Sequence, residues 1–161
     1  MSGKSSGDFP DNVFDVANTK AVGNTTEAIV LAEFLKAGFP VLLPFGENSR
    51  YDMVVEVGQS LLRVQCKTAH RCGADGASLR FHTRSVRIKN RSGEIENRSY
   101  RGQADLFAAY APCTNQVYIL AVDDVPETDA WLRLTPNRGT NQYRSRMAGD
   151  CTLEAWAARL G

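Results

Sequence analysis

Three side chains between residues 51 and 67 have types and spacing that could do chemistry together: Asp52, Gln65 and Lys67. A Gly-Gln pair separates two apolar-rich runs there, which is the sequence pattern of a tight β-hairpin. If that pair forms the turn, Asp52 faces Gln65 with Cβ atoms about 5 Å apart, and Lys67 follows on the same face. A carboxylate and an amide oxygen can hold a hard divalent cation, and an ammonium group offsets negative charge on a reacting group.

The alternation of side chains along both strands supports this register. A shift by one residue would mix the apolar and polar faces. The other interpretation is an ordinary solvated hairpin face, on which Glu56 pairs diagonally with Arg63. The expected core face consists of Met53, Val55, Val57, Leu62, Val64 and Cys66.

A predicted helix brings a further carboxylate to this group. Asn24 and Glu27 have the spacing of a capping box, which predicts a helix over residues 24–37 that ends before Gly38. Glu27 lies one turn before the apolar stripe, so it either caps the helix or points at Asp52. We favour the second role, although the two are compatible. The expected apolar stripe is Val30, Leu31, Phe34 and Leu35.

The remaining pattern predicts an α/β domain over residues 19–161, preceded by a flexible arm over residues 1–18. Residues 68–76 and 84–102 are predicted as loops, the second one basic and mobile without a partner. Further strands are predicted at residues 77–83 beside the hairpin and at 104–111, 116–122 and 131–134, and a final helix at 152–160 capped by Thr152 or Asp150.

Composition restricts the class of protein. The 161 residues contain no apolar run long enough to span a membrane, and the polar first residues contain no apolar signal core. The four cysteines fit no common zinc spacing, so we expect free thiols in a reducing compartment. These features favour a cytoplasmic protein.

Charge is unevenly distributed. Residues 63–101 hold ten basic and three acidic side chains, a net charge of +7, whereas the whole chain carries +1. Such a segment suggests contact with a polyanion. The alternative is a solvated basic surface.

The order of these groups resembles the core of the PD-(D/E)XK nuclease superfamily, whose catalytic groups gather on a hairpin behind a helix. Glu27 lies on the helix, Tyr51 and Asp52 on the first strand, and Gln65 and Lys67 on the second. Tyr51 replaces the usual proline and Gln65 replaces the usual acid. The resemblance implies a restriction-endonuclease-like α/β core, with a mixed central sheet flanked by helices.

The glutamine variant, together with downstream motifs, resembles the group I intron-associated homing endonucleases of that superfamily. The similarity spans residues 19–150. The matching segments are residues 63–68, 79–85, 104–110, 117–119 and 141–142, with Tyr100 and Gly102.

The resemblance implies a role for each residue. Asp52 anchors a Mg²⁺ ion, for which Mn²⁺ can substitute, and the Gln65 amide oxygen, the Cys66 main-chain carbonyl and Glu27 add ligands. Lys67 orients or activates the attacking water. Ser49 and Arg50, just before the motif, could touch the phosphate or have no role. Glu27, Asp52, Gln65 and Lys67 form the expected catalytic set. The expected DNA-binding residues are Arg80, Arg84, Arg87, Lys89, Arg91, Arg98, Arg101, Gln142 and Arg144.

Three functions fit this pattern. The first is a metal-dependent endonuclease that cuts double-stranded DNA as a homodimer or homotetramer, because one chain carries one site. The second is a structure-selective nuclease such as a Holliday junction resolvase. The third is an inactive DNA-binding relative, since Gln65 costs the site one negative charge.

Overall fold

The computed structural model describes residues 19–89, 93–136 and 146–161. The described helices are α1 (Thr19–Lys36) and α2 (Leu153–Ala158), with 3-10 turns at Val122–Asp124 and Ala148–Cys151. The described strands are β1 (Val41–Leu42), β2 (Met53–Val57), β3 (Ser60–Thr68), β4 (His70–Cys72), β5 (Ser78–His82), β6 (Arg84–Ile88), β7 (Ile95–Ser99), β8 (Leu106–Ala111), β9 (Gln116–Ala121) and β10 (Asp129–Arg133).

The central sheet is mixed, in the order β1-β2-β3-β8-β9. Strands β3 and β8 run parallel, and the other neighbours are antiparallel. Strands β2 and β3 form the predicted hairpin in the predicted register, with Val57 opposite Ser60 and Met53 opposite Val64. This confirms the α/β fold with a mixed central sheet.

Alternation along β8 shows how the layers pack. Leu106, Ala108 and Tyr110 pack on the side of α1 and α2, while Phe107 and Ala109 pack on the opposite side. A small sheet in the order β10-β5-β4 contributes to that second core through Leu79 and Leu132 among others. Both helices therefore cover the same face of the central sheet.

The predicted start of α1 was wrong. Within the described residues the helix already runs from Thr19, so Asn24 lies inside it and is not an N-cap. Asn24 and the neighbouring Gly23 are poor helix formers, and they mimic a helix start. The buried stripe is Val22, Thr26, Val30 and Phe34, whereas Leu35, predicted to be buried, is 54% exposed.

The C-terminal end of α1 and the N-terminal end of α2 follow the sequence more closely. Gly38 has φ of 89° and its N–H donates to the Leu35 carbonyl, as expected for a helix stop. At α2, Thr152 Oγ1 accepts from the Ala155 N–H at 3.1 Å. Of the two predicted caps, Thr152 is therefore the one that binds the helix.

Three predictions about the middle of the chain were also wrong. Residues 68–76 include strand β4, and strand β5 pairs with β4 and β10 rather than lying beside the hairpin in the central sheet. The described part of the supposed loop 84–102 is mostly the antiparallel ribbon β6–β7. Backbone pairing makes this segment a regular ribbon, which its composition did not indicate. One face of the ribbon carries the exposed apolar side chains Val86, Ile88 and Ile95.

Among the described residues, α1 and α2 are too short or too polar to cross a membrane. The four cysteines are free.

Candidate active site

Asp52 lies directly before β2 and is held against β3. Its N–H donates to the Val64 carbonyl at 2.9 Å. Its Oδ2 accepts from the Cys66 N–H and from Gln65 Nε2, each at 2.7 Å. The predicted proximity of Asp52 and Gln65 is thus present, although the amide nitrogen of Gln65, not its oxygen, faces the carboxylate.

Burial works against the charge on Asp52. Desolvation raises the pKa of the Asp52 carboxyl, while the Cys66 N–H and the Lys67 ammonium partly lower it. Burial likewise raises the pKa of the Cys66 thiol well above its usual range, with further increases from Asp52 and Glu27. Cys66 therefore stays a neutral thiol whose side chain belongs to the core. Its main-chain carbonyl is the part that contacts the site, where it accepts from Gln65 Nε2 at 3.3 Å.

Glu27 on α1 reaches the same group. Partial burial raises the pKa of the Glu27 carboxyl, and the nearby Asp52 carboxylate raises it further. A carboxyl whose ionisation is opposed by burial and by a neighbouring carboxylate is arranged as a cation site would need. Glu27 lies inside α1, four residues after Gly23, so capping is not its role.

The helix is joined to the sheet beside these acids. Thr26 Oγ1 and Thr68 Oγ1 form a hydrogen bond of 2.7 Å, and Thr26 is 1% exposed. This bond fixes the height of α1 along β3, and therefore the position of Glu27 relative to Lys67. A cleft of about 240 Å³ opens beside it, between the first turns of α1 and the ends of β3 and β4.

Lys67 lies on β3 two residues after Gln65, close enough to lower the pKa of Asp52. Its Nζ donates to the Tyr100 hydroxyl oxygen at 3.3 Å and lies 4.5 Å from the centre of the Tyr100 ring. Arg50 lies over the same ring, with Cζ 4.5 Å from its centre. The structure thus brings Glu27 and Asp52 together with Lys67.

Arg63 has a structural role. Its Nε and Nη2 donate to both carboxylate oxygens of Asp105, at 3.0 and 2.9 Å, and its main-chain N–H also donates to Asp105 at 2.8 Å. The interpretation in which Arg63 pairs with Glu56 was therefore wrong. The clamp ties β3 to the segment between Tyr100 and β8.

The predicted DNA-binding residues fall into three groups. Arg84, Arg87 and Arg98 lie on the ribbon, where Arg87 is exposed. Other basic side chains have acidic neighbours: Lys89 lies 4.0 Å from Glu96, Arg101 3.5 Å from Glu127, and Arg80 3.9 Å from Asp129. Arg91, Gln142 and Arg144 lie outside the described residues.

The sequence does not indicate which side chain contacts Lys67. It marks Tyr100 only as part of a downstream pattern and Arg50 only as a possible phosphate contact. Tyr100 is far from both residues in the sequence, so no local spacing indicates that Lys67 and Arg50 contact its ring. The aromatic residue amid a basic segment was the available signal.

The donor chemistry fits a hard divalent cation. Asp52 and Glu27 offer carboxylate oxygens, Gln65 an amide oxygen and Cys66 a main-chain carbonyl, which are the ligand types that Mg²⁺ and Mn²⁺ prefer. In the described part of the chain, no group of three or more His, Cys, Asp or Glu side chains could hold a metal. An ion here would depend on Gln65 turning its amide oxygen inward.

Comparison with known proteins agrees with this geometry. No curated protein matches the chain. Among solved structures, the bacterial homing endonuclease I-Ssp6803I matches with a TM-score of 0.70 and 27% identity, covering 88% of this chain and 93% of its own. Hjc, a Holliday junction resolvase from Archaeoglobus fulgidus, matches with a TM-score of 0.41 and 18% identity over 70% of this chain and 84% of its own. That level of similarity is too low to bear on function.

A family profile matches most of the sequence. The profile of the PD-(D/E)XK endonucleases covers residues 17–153, which include every described residue of the site above. The helix, hairpin and parallel neighbour β8 position Glu27, Asp52 and Lys67 at one end of the sheet. The chain therefore belongs to the PD-(D/E)XK endonuclease family.

Proposed function

We propose that this protein is a metal-dependent endonuclease that hydrolyses phosphodiester bonds in double-stranded DNA, as a homing endonuclease does. The carrying observation is that the Asp52 carboxylate, fixed by the Cys66 N–H at 2.7 Å, lies close enough to Glu27 and Lys67 for the three charges to interact. Membership of the endonuclease family and the 27% identity to a bacterial homing endonuclease support it.

A Mg²⁺ ion, or Mn²⁺, bound at this site would polarise the scissile phosphate and lower the pKa of an attacking water. Asp52 is its anchoring ligand in this proposal. Glu27, the Cys66 carbonyl and the Gln65 amide oxygen complete the set. Neutral Gln65 brings less charge to the ion than an acid does, so metal affinity is expected to be modest.

Lys67 supplies the positive charge that hydrolysis needs. Its ammonium orients the attacking water and offsets charge that builds on the phosphate in the transition state. Because that charge is greatest in the transition state, Lys67 contributes more to turnover than to DNA binding.

The DNA backbone is expected to lie along the ribbon. Arg84, Arg87 and Arg98 extend from it, and the ribbon joins the site through Ser85 and Ser99, which contact Arg50. Arg80, Lys89, Arg91, Arg101, Gln142 and Arg144 remain proposed contacts. Basic residues with acidic neighbours must give up an ion pair to contact a phosphate, which reduces their net contribution to DNA affinity.

Cutting both strands requires two sites, so we expect the active species to be a homodimer or homotetramer. Four free cysteines suit a reducing cytoplasm, where we expect the reaction to take place. Sedimentation velocity with and without DNA tests the assembly. A protein that stays monomeric on DNA and still cuts both strands in a single binding event would contradict the expected assembly.

The test of the proposed function is cleavage of a randomised duplex library, with the product ends sequenced. Cleavage is expected with Mg²⁺ or Mn²⁺ and none with EDTA, and the ends should share a sequence. Four-way junctions run in parallel separate a sequence-specific enzyme from a resolvase. Cleavage of junctions alone would replace the first activity with the second.

A second candidate is a DNA-binding relative without catalysis. It is favoured by Gln65, whose amide nitrogen, rather than a ligand oxygen, faces Asp52 in the structure. Salt-sensitive DNA binding without cleavage under any divalent metal would support this candidate. Restoration of cleavage by Gln65→Glu would then identify the missing charge as the cause.

A further inference from the structure

The contacts of Tyr100 point to a role that the nuclease motif does not contain. Tyr100 is 5% exposed, and its ring meets Phe107 edge-on, with centroids 5.7 Å apart and planes at 87°. Its carbonyl accepts from the N–H groups of Gln103 and Ala104 at 2.9 and 3.0 Å. Ring and backbone are therefore fixed before any ligand arrives.

The Lys67 side chain contacts this fixed ring. Its Nζ is 3.3 Å from the Tyr100 hydroxyl oxygen and 4.5 Å from the ring centre. A lysine side chain has several rotatable bonds and loses much conformational freedom when it is ordered. A hydrogen bond to the hydroxyl and attraction to the ring both reduce the set of positions that the ammonium can occupy.

Arg50 holds the same ring and connects it to the ribbon. Its guanidinium donates to Ser85 Oγ at 2.9 Å and to the Ser99 carbonyl at 3.1 Å, and its Nε donates to the Gln103 side chain. The Arg50 Cζ lies 4.5 Å from the Tyr100 ring centre. Arg50 therefore connects the start of β6 and the end of β7 to that ring. Arg50 also lies two residues before Asp52, so one side chain spans the site and the ribbon.

We propose that Tyr100 is a positioning residue that holds the Lys67 ammonium beside Asp52, and that Arg50 fixes Tyr100 and couples it to the DNA-binding ribbon. This inference rests on the proposed nuclease role of Lys67. Tyr100 touches neither the phosphate nor the metal in this account. Its effect passes through Lys67, so its loss slows the chemical step and leaves DNA affinity unchanged.

Nuclear magnetic resonance of the full chain without DNA or metal tests the contact itself. The Lys67 Cε and Nζ signals, assigned by their absence in Lys67→Arg, should move strongly in Tyr100→Leu because the ring current is lost. A smaller shift is expected in Tyr100→Phe, which keeps the ring. Tyr118→Phe is the matched control, because Tyr118 is 3% exposed and its hydroxyl binds Thr114 rather than Lys67.

Single-turnover cleavage with the same variants tests the role. Tyr100→Phe should reduce the rate by about tenfold, as expected for losing a hydrogen bond to a charged group, with DNA dissociation constants within about twofold of wild type. Tyr100→Leu should be slower still. Arg50→Lys should reduce the cleavage rate less in the Tyr100→Leu background than in wild type, because both substitutions act through the Tyr100 ring.

The outcomes separate the two proposals. If wild type cleaves and Tyr100→Phe cleaves at the wild-type rate with unmoved Lys67 signals, the positioning role is wrong and the nuclease function stands. If Tyr100→Phe weakens DNA binding as much as it slows cleavage, Tyr100 is a binding residue instead. If wild type cuts no DNA while the Lys67 signals respond, the nuclease function fails, and the positioning role fails with it.

Discussion

At the scale of single residues, Asp52 is the side chain on which most of the site depends. Its carboxylate is stabilised by two N–H donors and by Lys67, yet burial still raises its pKa. An acid with a raised pKa in the folded state favours the protonated form. Its contribution to stability is therefore present at low pH and is lost as the pH rises through that pKa.

This sign gives a stability prediction for Asp52→Asn in EDTA. At neutral pH the variant should melt higher than wild type, and about 1 kcal/mol would correspond to about 2–4 °C for a chain of this size. The difference should shrink as the pH falls through the raised pKa of Asp52. Calorimetric melts across pH measure it.

Added Mg²⁺ provides the control, because it should stabilise wild type and not the variant. An Asp52→Asn protein that melts lower than wild type at neutral pH in EDTA would show that burial does not oppose the charge. The electrostatic description of the site would then be wrong.

Gln65 leads to the opposite prediction. Gln65→Glu would place a second carboxylate within hydrogen-bonding distance of Asp52, so the metal-free variant should melt lower at neutral pH. The added ligand charge should lower the half-saturating Mg²⁺ concentration by about tenfold, which is about 1.4 kcal/mol. Isothermal titration calorimetry measures the affinity, with Gln59→Glu at the hairpin turn as the matched control. Unchanged affinity would place the ion away from residue 65.

At the scale of elements, the hairpin was fully predictable and α1 was not. Apolar alternation fixes the register of β2 and β3, because any slip exposes Met53 and Val64. Extending a helix by one turn at its start exposes no core residue when that turn also has an apolar residue to bury. Val22 continues the stripe of Thr26 and Val30, and the helix extends to include it despite Gly23.

The ribbon was missed for a related reason. Its strands expose apolar and charged side chains alike, so neither face shows the burial pattern that sequence reasoning detects. The antiparallel ladder runs from Arg84 opposite Ser99 to Ile88 opposite Ile95. Composition therefore indicated a loop where the backbone forms a ladder.

The ribbon also leads to a binding prediction. Replacing Arg84, Arg87 and Arg98 with Gln should weaken DNA binding across sequences and flatten the plot of log affinity against log salt by up to about 3 units. Fluorescence anisotropy over a range of salt concentrations measures both. Lys36→Gln with Arg159→Gln removes charge elsewhere and should leave the slope unchanged. If the ribbon variant keeps the wild-type slope, the DNA surface lies elsewhere.

At the scale of the whole molecule, three parts of the fold meet where the site lies. The helix layer supplies Glu27, the central sheet supplies Asp52 and Lys67, and the chain between the ribbon and β8 supplies Tyr100. Glu27, Asp52 and Lys67 were predictable because spacing and pattern place them on one helix and one hairpin. The position of Tyr100 was not predictable, because it depends on how the ribbon and the Arg63–Asp105 clamp set the path of residues 100–105.

The most direct test of the account is plasmid cleavage by wild type, Asp52→Asn and Asp123→Asn, each with Mg²⁺, Mn²⁺ or EDTA. Asp123 is exposed and outside the site, so it controls for loss of a carboxylate. We expect wild type and Asp123→Asn to cut only with metal, and Asp52→Asn not to cut while DNA binding is retained. Cleavage by Asp52→Asn, or cleavage by wild type in EDTA, would contradict a metal-dependent site built on Asp52.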